Sequence, residues 1–269
     1  MTIAVIVTTY NRPDALAAVL AGYLAQHSAP SELIVADDGS TTETRHVIAT
    51  HAARAAFPVR HVWQEDLGFR AAMARNRALA SSQSDYILFT DGDCIPPRDF
   101  VEQHRRLAEP GRFLSGNRIL LSESFTSSAL SRQLPLHEWD MTQWLTARWR
   151  GDINRWLPLL RLPDGAWRRN APERWTGAKT CNLSAWRSDL ERINGFDESY
   201  SGWGLEDSDL VIRLLHAGVQ HKSARFAAPV FHLWHRENDR ARLPENQRQL
   251  DALLASDRTA ARIGLSQYQ

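Results

Sequence analysis

The 269-residue chain has only two cysteines, Cys94 and Cys181. Two thiols so far apart in sequence make neither a disulfide framework nor a zinc knuckle, and they point to a reducing compartment. An excess of either charge is also missing, since 32 Lys and Arg stand against 31 Asp and Glu, a formal net charge of +1. That balance gives no global field for nucleic acid, so no nucleic-acid partner is expected and any anion must be held locally. No stretch approaches the roughly 20 consecutive apolar residues of a membrane-spanning helix. Contact with a bilayer is therefore expected to be peripheral at most. The first residues, Met1-Thr2-Ile3-Ala4-Val5-Ile6-Val7, lack the basic lead and long apolar core of a secretory leader. They read as a strand, which makes the cytoplasm the expected compartment.

What is present is a globular composition, 43% hydrophobic and 23% charged, enough for one large domain or a domain with an appended subdomain. Up to about residue 120, four short apolar runs at Ile3–Val7, Leu33–Ala36, Val59–Trp63 and Tyr86–Thr90 alternate with helical patterns. Leu16, Val19, Leu20, Tyr23 and Leu24 share one helix face, and Pro13 suits its first turn. This alternation predicts an α/β fold whose mainly parallel sheet carries helices on both faces. The spacing divides the chain into residues 1–121, a Trp- and Arg-rich insertion over 122–175, and a module over 176–269 that ends in a helix. In the last part, Ala178–Ser184 and Ala224–Phe231 are expected as strands and Asp207–Ala217 as a helix, with Leu210, Val211, Leu214 and Leu215 inward.

In such sheets ligands sit beyond the carboxyl ends of the strands, and the residues there are polar. Asp91-Gly92-Asp93 closes an apolar strand; alternation points both carboxylates to one side, where they suit a divalent metal such as Mn²⁺ or Mg²⁺. The same letters also spell a turn. Asp37-Asp38-Gly39-Ser40 reads either as an Asx-type turn or helix cap, or as an acceptor for the imide N–H of uracil or a ribose hydroxyl. Thr9, Arg12 and Arg75 are candidate donors to the base or diphosphate. In Gly202-Trp203-Gly204-Leu205-Glu206-Asp207, adjacent acids open an apolar helix, where the helix dipole alone would favour them. The indole of Trp203 offers a stacking surface for a sugar ring. His232-Leu233-Trp234-His235 follows the last strand, and an imidazole there could join the metal, His232 by position and His235 as the alternative.

Taken in order, Thr8-Thr9-Tyr10-Asn11-Arg12, Asp37-Asp38-Gly39-Ser40, Ala74-Arg75-Asn76 and Asp91-Gly92-Asp93 resemble the family 2 glycosyltransferases of the GT-A fold. Asn182-Leu183-Ser184, Gly195-Phe196-Asp197-Glu198 and Gly202-Trp203-Gly204-Leu205-Glu206-Asp207 resemble the C-terminal module of galactosyl- and N-acetylgalactosaminyltransferases and of bacterial chondroitin-type polymerases. The resemblance implies a UDP-sugar donor bound by Thr8, Thr9, Tyr10, Arg12, Asp38, Arg75, Asp91, Gly92 and Asp93. It places Asp38 on the uracil, Asp91 on the ribose or metal, and Asp93 on the metal. Asp207 is implied as the base for the acceptor hydroxyl, with Trp203, Gly204, Glu206 and Asn182 holding a carbohydrate acceptor, lipid-linked in some settings. General-base help of this kind is typically worth about 10²–10⁴-fold.

Metal and base act on opposite sides of one anomeric carbon, which predicts Asp207 across a cleft from Asp91 and Asp93 and an inverting reaction. The module is also similar to that of retaining N-acetylgalactosaminyltransferases. Lipopolysaccharide or another surface polysaccharide is the product class such families build. Two other readings compete: a sugar-phosphate nucleotidyltransferase, which would carry a glycine-rich loop where this chain has Thr-Thr-Tyr-Asn-Arg, and a non-catalytic glycan-binding protein. The Trp-rich insertion is expected on the acceptor side, as a satellite hydrophobic cluster, or in shallow contact with a membrane.

Overall fold

The computed structural model describes residues 1–236 and 239–269. Strands β1 (Ile3–Thr9), β2 (Glu32–Asp37), β3 (Val59–Trp63) and β4 (Tyr86–Asp91) are parallel, in spatial order β3-β2-β1-β4. Helices α1 (Pro13–Leu24), α2 (Thr42–Ala52) and α3 (Ala71–Ser81) connect them. Pro13 sits in the first turn of α1, and Leu16, Val19, Leu20 and Tyr23 are buried while Leu24 is half-buried.

Strands β1, β2 and β4 read as apolar runs because two cores compete for alternate side chains, whereas β3, at the edge, is half-buried and carries Arg60 and His61. Ile3, Val5, Val7, Leu33, Val35, Tyr86 and Leu88 face one core. Ala4, Ile6, Ile34, Ala36, Ile87 and Phe89 face the other. A polar residue at any of these positions would lie in a core, so polarity begins only where the strands end.

Beyond β4 follow β5 (Cys94–Ile95), α4 (Phe100–Leu107), β6 (Arg112–Ser115), β7 (Arg118–Leu120), α5 (Glu123–Ser131) and α6 (Met141–Arg150). The last third adds β8 (Asn182–Trp186), α7 (Arg187–Arg192), α8 (Glu206–His216), β9 (Gln220–Ser223), β10 (Val230–His232) and α9 (Leu243–Leu254). The main sheet has order β3-β2-β1-β4-β8-β6-β9, with β8 antiparallel to both neighbours. A second sheet of order β5-β10-β7 pairs β10 antiparallel to β5 and parallel to β7. The result is a mixed, mainly parallel α/β fold.

Two expected strands are placed differently. The run Ala178–Ser184 enters the sheet only at Asn182, because a turn from Asn182 N to Lys179 O precedes it and the Thr180 N–H points to Asp207 Oδ2 at 3.4 Å. The run Ala224–Phe231 is mostly a buried loop between β9 and β10, with Ala224, Ala227 and Ala228 inside the core. Phe226 there has φ +57° and Pro229 lacks a ladder donor, so no continuous strand forms.

The Trp-rich insertion contains two regular helices. Asp140 and Gln143 form a reciprocal capping box at the start of α6, and Gly151 closes it with φ +81°. Trp144 stacks on Phe231 with ring centroids 4.1 Å apart, and Trp139 packs on both Trp144 and Phe125. Trp144 belongs to the main core and Trp139 and Trp156, partly buried, pack against it, whereas Trp149 is 87% exposed.

Candidate active site

The carboxyl ends of β1, β2 and β4 meet in register. Thr8 lies beside Asp91 and Thr9 beside Asp37. The Gly92 N–H donates to Thr8 O at 2.7 Å, and a Cβ on Gly92 would sit 2.8 Å from Thr9 Oγ1. Only glycine fits between the two acids. Thr9 Oγ1 is itself buried without a hydrogen-bond partner among the described residues.

At the end of β2 the two aspartates divide the alternatives open in the sequence. Asp37 makes the turn, accepting the Ser40 N–H on Oδ1 at 2.8 Å and facing His61 Nε2 from Oδ2 at 2.7 Å. Asp38 is buried and accepts Gln64 Nε2 at 2.6 Å and the Arg70 N–H at 2.7 Å. Burial pushes its carboxyl above the usual carboxylate range, against the pull of those two donors. Gly39, with φ +98°, lets the Asp66 backbone cross at a distance no side chain would allow. Tyr10 is exposed and donates its hydroxyl to Asp66 at 2.9 Å. Arg12 precedes α1, its Nε 3.5 Å from Asp14.

Helix α3 delivers Arg75 into the middle of this arrangement. Its Nε donates to Thr8 Oγ1 at 3.0 Å, Nη1 to Glu206 Oε1 at 3.0 Å and Nη2 to Asp91 Oδ1 at 3.2 Å. The guanidinium, buried over the Phe196 ring, joins the donor-side acid Asp91 to the acid that opens α8. Burial pushes the Asp91 carboxyl up to about 6, with Arg75 opposing and Asp93 and Asp207 reinforcing the rise. Burial also pushes Glu206 up to about 7, helped by the neighbouring charge of Asp207 and opposed by Arg75. Glu206 Oε2 has no hydrogen-bond partner among the described residues. Asp91, Asp93, Glu206 and Asp207 thus share one region with Arg75, each of whose three guanidinium nitrogens donates a hydrogen bond, and Asp207 acts electrostatically on both Asp91 and Glu206.

Next to Arg75, Asn76 faces the other way. Its amide accepts the Phe196 N–H at 2.8 Å and donates to Phe196 O at 2.9 Å and Glu198 Oε1 at 2.7 Å. The turn at Gly195-Phe196 is thereby pinned to the donor-side helix.

Pairing of β10 with β5 sets His232 opposite Cys94 and so beside Asp93. Asp93 Oδ1 lies 3.8 Å from His232 Nε2, and Oδ2 lies 3.5 Å from His235 Nε2. Both imidazoles, offered by the sequence as alternatives, face the same carboxylate. Ligand atoms bound at about 2.1 Å around one ion lie roughly 3–4 Å apart, so these spacings suit a shared divalent cation. A mixed carboxylate and imidazole set suits Mn²⁺ or a neighbour in its series. Burial lowers the pKa of His232, keeping the imidazole in its ligating form, and Asp93 opposes that shift. Cys94 Sγ is also near, its sulfur lying within 4.8 Å of ligand atoms of Asp93 and His232, and burial pushes its thiol far up.

On the acceptor side, Trp203 is half-buried and Arg240 lies over its ring at 5.2 Å. Asn246 of α9 donates to Ser201 O and Gly204 O, fixing the loop that presents Trp203 and Gly204. Leu205 takes φ +77° before α8 begins. Asn182 lies away from this surface. Both hydrogens of its amide are spent on Asn117 O and Ala228 O, and its oxygen faces His104 Nε2 at 3.2 Å. It braces the sheet, and no amide hydrogen is left for an acceptor sugar.

Gln64, Arg70, Thr180 and Arg118 received no role from the sequence. The first two hold Asp38, Thr180 approaches Asp207, and the charge on Arg118 is stabilised by Asp91 and Asp207 among others, against the cost of its burial. The polar run after β3 was a usable signal for Gln64 and Arg70. A single arginine in a three-residue strand was none.

Residues 4–158 match glycosyl transferase family 2. The chain belongs to this family. By family it is a glycosyltransferase, and residues 168–236 match a second family described as the N-terminal domain of galactosyltransferase. Validoxylamine A glucosyltransferase of Streptomyces hygroscopicus subsp. limoneus is 30% identical over 227 residues, which are 81% of this chain and 48% of that protein. Hyaluronan synthase of Pasteurella multocida is 28% identical over 235 residues, 82% of this chain and 23% of that protein. The chain thus spans about half the length of the first relative and about a quarter of the second. Among solved structures, TarS of S. aureus superposes with a TM-score of 0.64 at 16% identity, over 100% of this chain and 41% of that one. The mannosyltransferase PcManGT of Pyrobaculum calidifontis, in complex with GDP-Man and Mn²⁺, gives a TM-score of 0.61 at 19% identity, over 94% and 64%. These likenesses establish the GT-A fold.

Proposed function

We propose that the chain is the catalytic unit of a metal-dependent, inverting glycosyltransferase that moves a sugar from UDP to a hydroxyl of a glycan acceptor. The carrying observation is the cluster of Asp91, Glu206 and Asp207 around Arg75, with Asp93 facing two imidazoles beside it. Asp38 receives the uracil imide, and Thr8, Thr9, Tyr10, Arg12 and Gly92 line the path to the diphosphate. Asp93 with His232 and His235 holds the divalent ion, and Asp91 serves the ribose or the same ion. Bound there, the ion would neutralise charge developing on the diphosphate. Asp207 takes the proton from the acceptor hydroxyl as its oxygen attacks the anomeric carbon and the bond to the UDP oxygen breaks, inverting that carbon. Glu206 and the Trp203-Gly204 loop hold the acceptor sugar.

Solved neighbours bound to UDP, or to GDP-Man with Mn²⁺, support a nucleotide-diphosphate donor and the ion. Relatives named hyaluronan and chondroitin synthase support a polysaccharide acceptor and a surface glycan or lipopolysaccharide product. We assign residues 122–175 to the acceptor side; a recess of about 550 Å³ between α5 and α6 there is lined by Trp139, Arg132, Arg150 and Asp152 among others. The cytoplasm, where nucleotide sugars are made and thiols stay reduced, is the compartment this chemistry fits.

Thermal unfolding with UDP, GDP and CMP, each with and without Mn²⁺, tests the reading. A ligand at 100 times its dissociation constant adds about 2.7 kcal/mol, roughly 5–10 °C in Tm for a chain of this size. Stabilisation by UDP that requires the ion is expected and should disappear in Asp93→Ala. A protein that no nucleotide stabilises under any condition would refute the donor assignment.

A further inference from the structure

We propose that the outer face of α6 is a seat on an anionic phospholipid bilayer. Met141, Leu145 and Trp149 recur at four-residue spacing, so they form one stripe along the helix. All three are exposed, at 38%, 43% and 87%. The opposite side of the helix carries Trp144 and Ala147, which are buried in the core. α6 therefore has two apolar faces and only one of them is covered.

Charge says what covers the other. From Met141 to Gly151 the chain has no acid, while Arg148 and Arg150 stand exposed at the end of the helix. Among the described residues neither has a carboxylate partner. Exposed Arg155 follows, its guanidinium on the Arg118 carbonyl. Leu157, Leu160 and Leu162, further along the chain, are also exposed. An indole with aliphatic neighbours and adjoining guanidinium groups matches the boundary between acyl chains and anionic headgroups. No described helix is long and apolar enough to cross a membrane, so the contact lies in the interface plane.

The seat is close to the site. Trp144, on the inner face of α6, stacks on Phe231, the residue before His232. A chain resting on this face would hold its sugar-transfer cleft near acceptors carried by lipid.

Co-sedimentation with vesicles of phosphatidylglycerol and phosphatidylethanolamine, and with vesicles of phosphatidylcholine alone, tests the proposal without any assay of transfer. The chain is expected to bind the first, to bind the second weakly, and to be released by salt. Leu145→Ser with Trp149→Ser removes the inserted groups, and Arg148→Gln with Arg150→Gln removes the charge. Both pairs should weaken binding, the arginine pair by about 25-fold at about fivefold per charge. Because all four residues are exposed, both variants should keep the wild-type melting temperature, which is read alongside. Equal partitioning of wild type and variants, or equal binding to both vesicle types, overturns the proposal. A lipid-free dimer that Leu145→Ser with Trp149→Ser converts to monomer also overturns it, because a second copy of the chain then covers the stripe.

Discussion

Glu206 and Asp207 are neighbours in sequence with opposite uses of the same carboxyl group. Glu206 is engaged by Arg75 and pushed up to about 7 by burial and by Asp207. Between about pH 4.5 and 7 the folded chain therefore holds a proton that the unfolded chain has released, so this group's contribution to stability falls as pH rises. Glu206→Gln keeps the shape and abolishes the titration. The wild-type melting temperature minus that of the variant should decline from pH 4.5 to 7 and level off above; a flat difference would show that Glu206 titrates normally. Asp207→Asn should behave otherwise, leaving the fold intact and lowering transfer by about 10²–10⁴-fold, as read by product formation at saturating donor and acceptor. Undiminished turnover would remove Asp207 from the role of base. The acids themselves were legible because each ends a strand or opens a helix, where the fold class puts ligands. Arg75 was legible as a cation, but its position between Asp91 and Glu206, 131 residues apart from the latter in sequence, is a tertiary fact that no local pattern carries. Asn182 misled for the converse reason. Its type suits a sugar, and only the structure shows its amide turned toward Asn117 and Ala228.

Strands β1, β2 and β4 and helix α1 were legible because burial on both faces forces apolar runs and a half-buried helix forces its 3.6-residue stripe. The edge strand β3, half-buried and holding Arg60 and His61, was legible from Val59, Val62 and Trp63 alone. The later strands were less so. β8 and β10 are bounded by backbone turns and by Pro229, whereas the apolar run alone continues into a loop that the core also buries. Helix α3 shows how an element carries two duties on adjacent residues, Arg75 toward the acids and Asn76 toward the Gly195-Phe196 turn. Asn76→Ala would leave the Phe196 N–H and carbonyl buried without partners, at about 1–3 kcal/mol for each unsatisfied group. A fall of several degrees in Tm is expected, together with weaker acceptor binding seen as a raised acceptor KM, because α8 loses its registration against α3. Unchanged stability would mean that the turn finds other partners.

At the scale of the molecule, the two family matches divide the sequence but not the sheet. β6 lies within residues 4–158, yet it reaches β4 only through β8, which belongs to 168–236. A chain ending at residue 175 would lose β8 and β9 together, leaving β6 without a strand on either side and β4 with an open edge. That edge is Tyr86–Asp91, whose Tyr86, Ile87, Leu88 and Phe89 are fully buried in the whole chain. An exposed apolar edge strand templates association with other chains. The fragment 1–175 is therefore expected to lack a cooperative melting transition and to elute as aggregate in size-exclusion chromatography, whereas the whole chain melts in one step. A monomeric fragment with its own sharp transition would show that the donor half folds alone and that the seven-stranded sheet is an assembly of two independent parts. The expected outcome has a consequence for the site. Asp91 and Asp93 precede β8 in the chain and Glu206 and Asp207 follow it, yet Arg75 bonds Asp91 and Glu206 together, so one cooperative sheet sets the distance between leaving-group site and base.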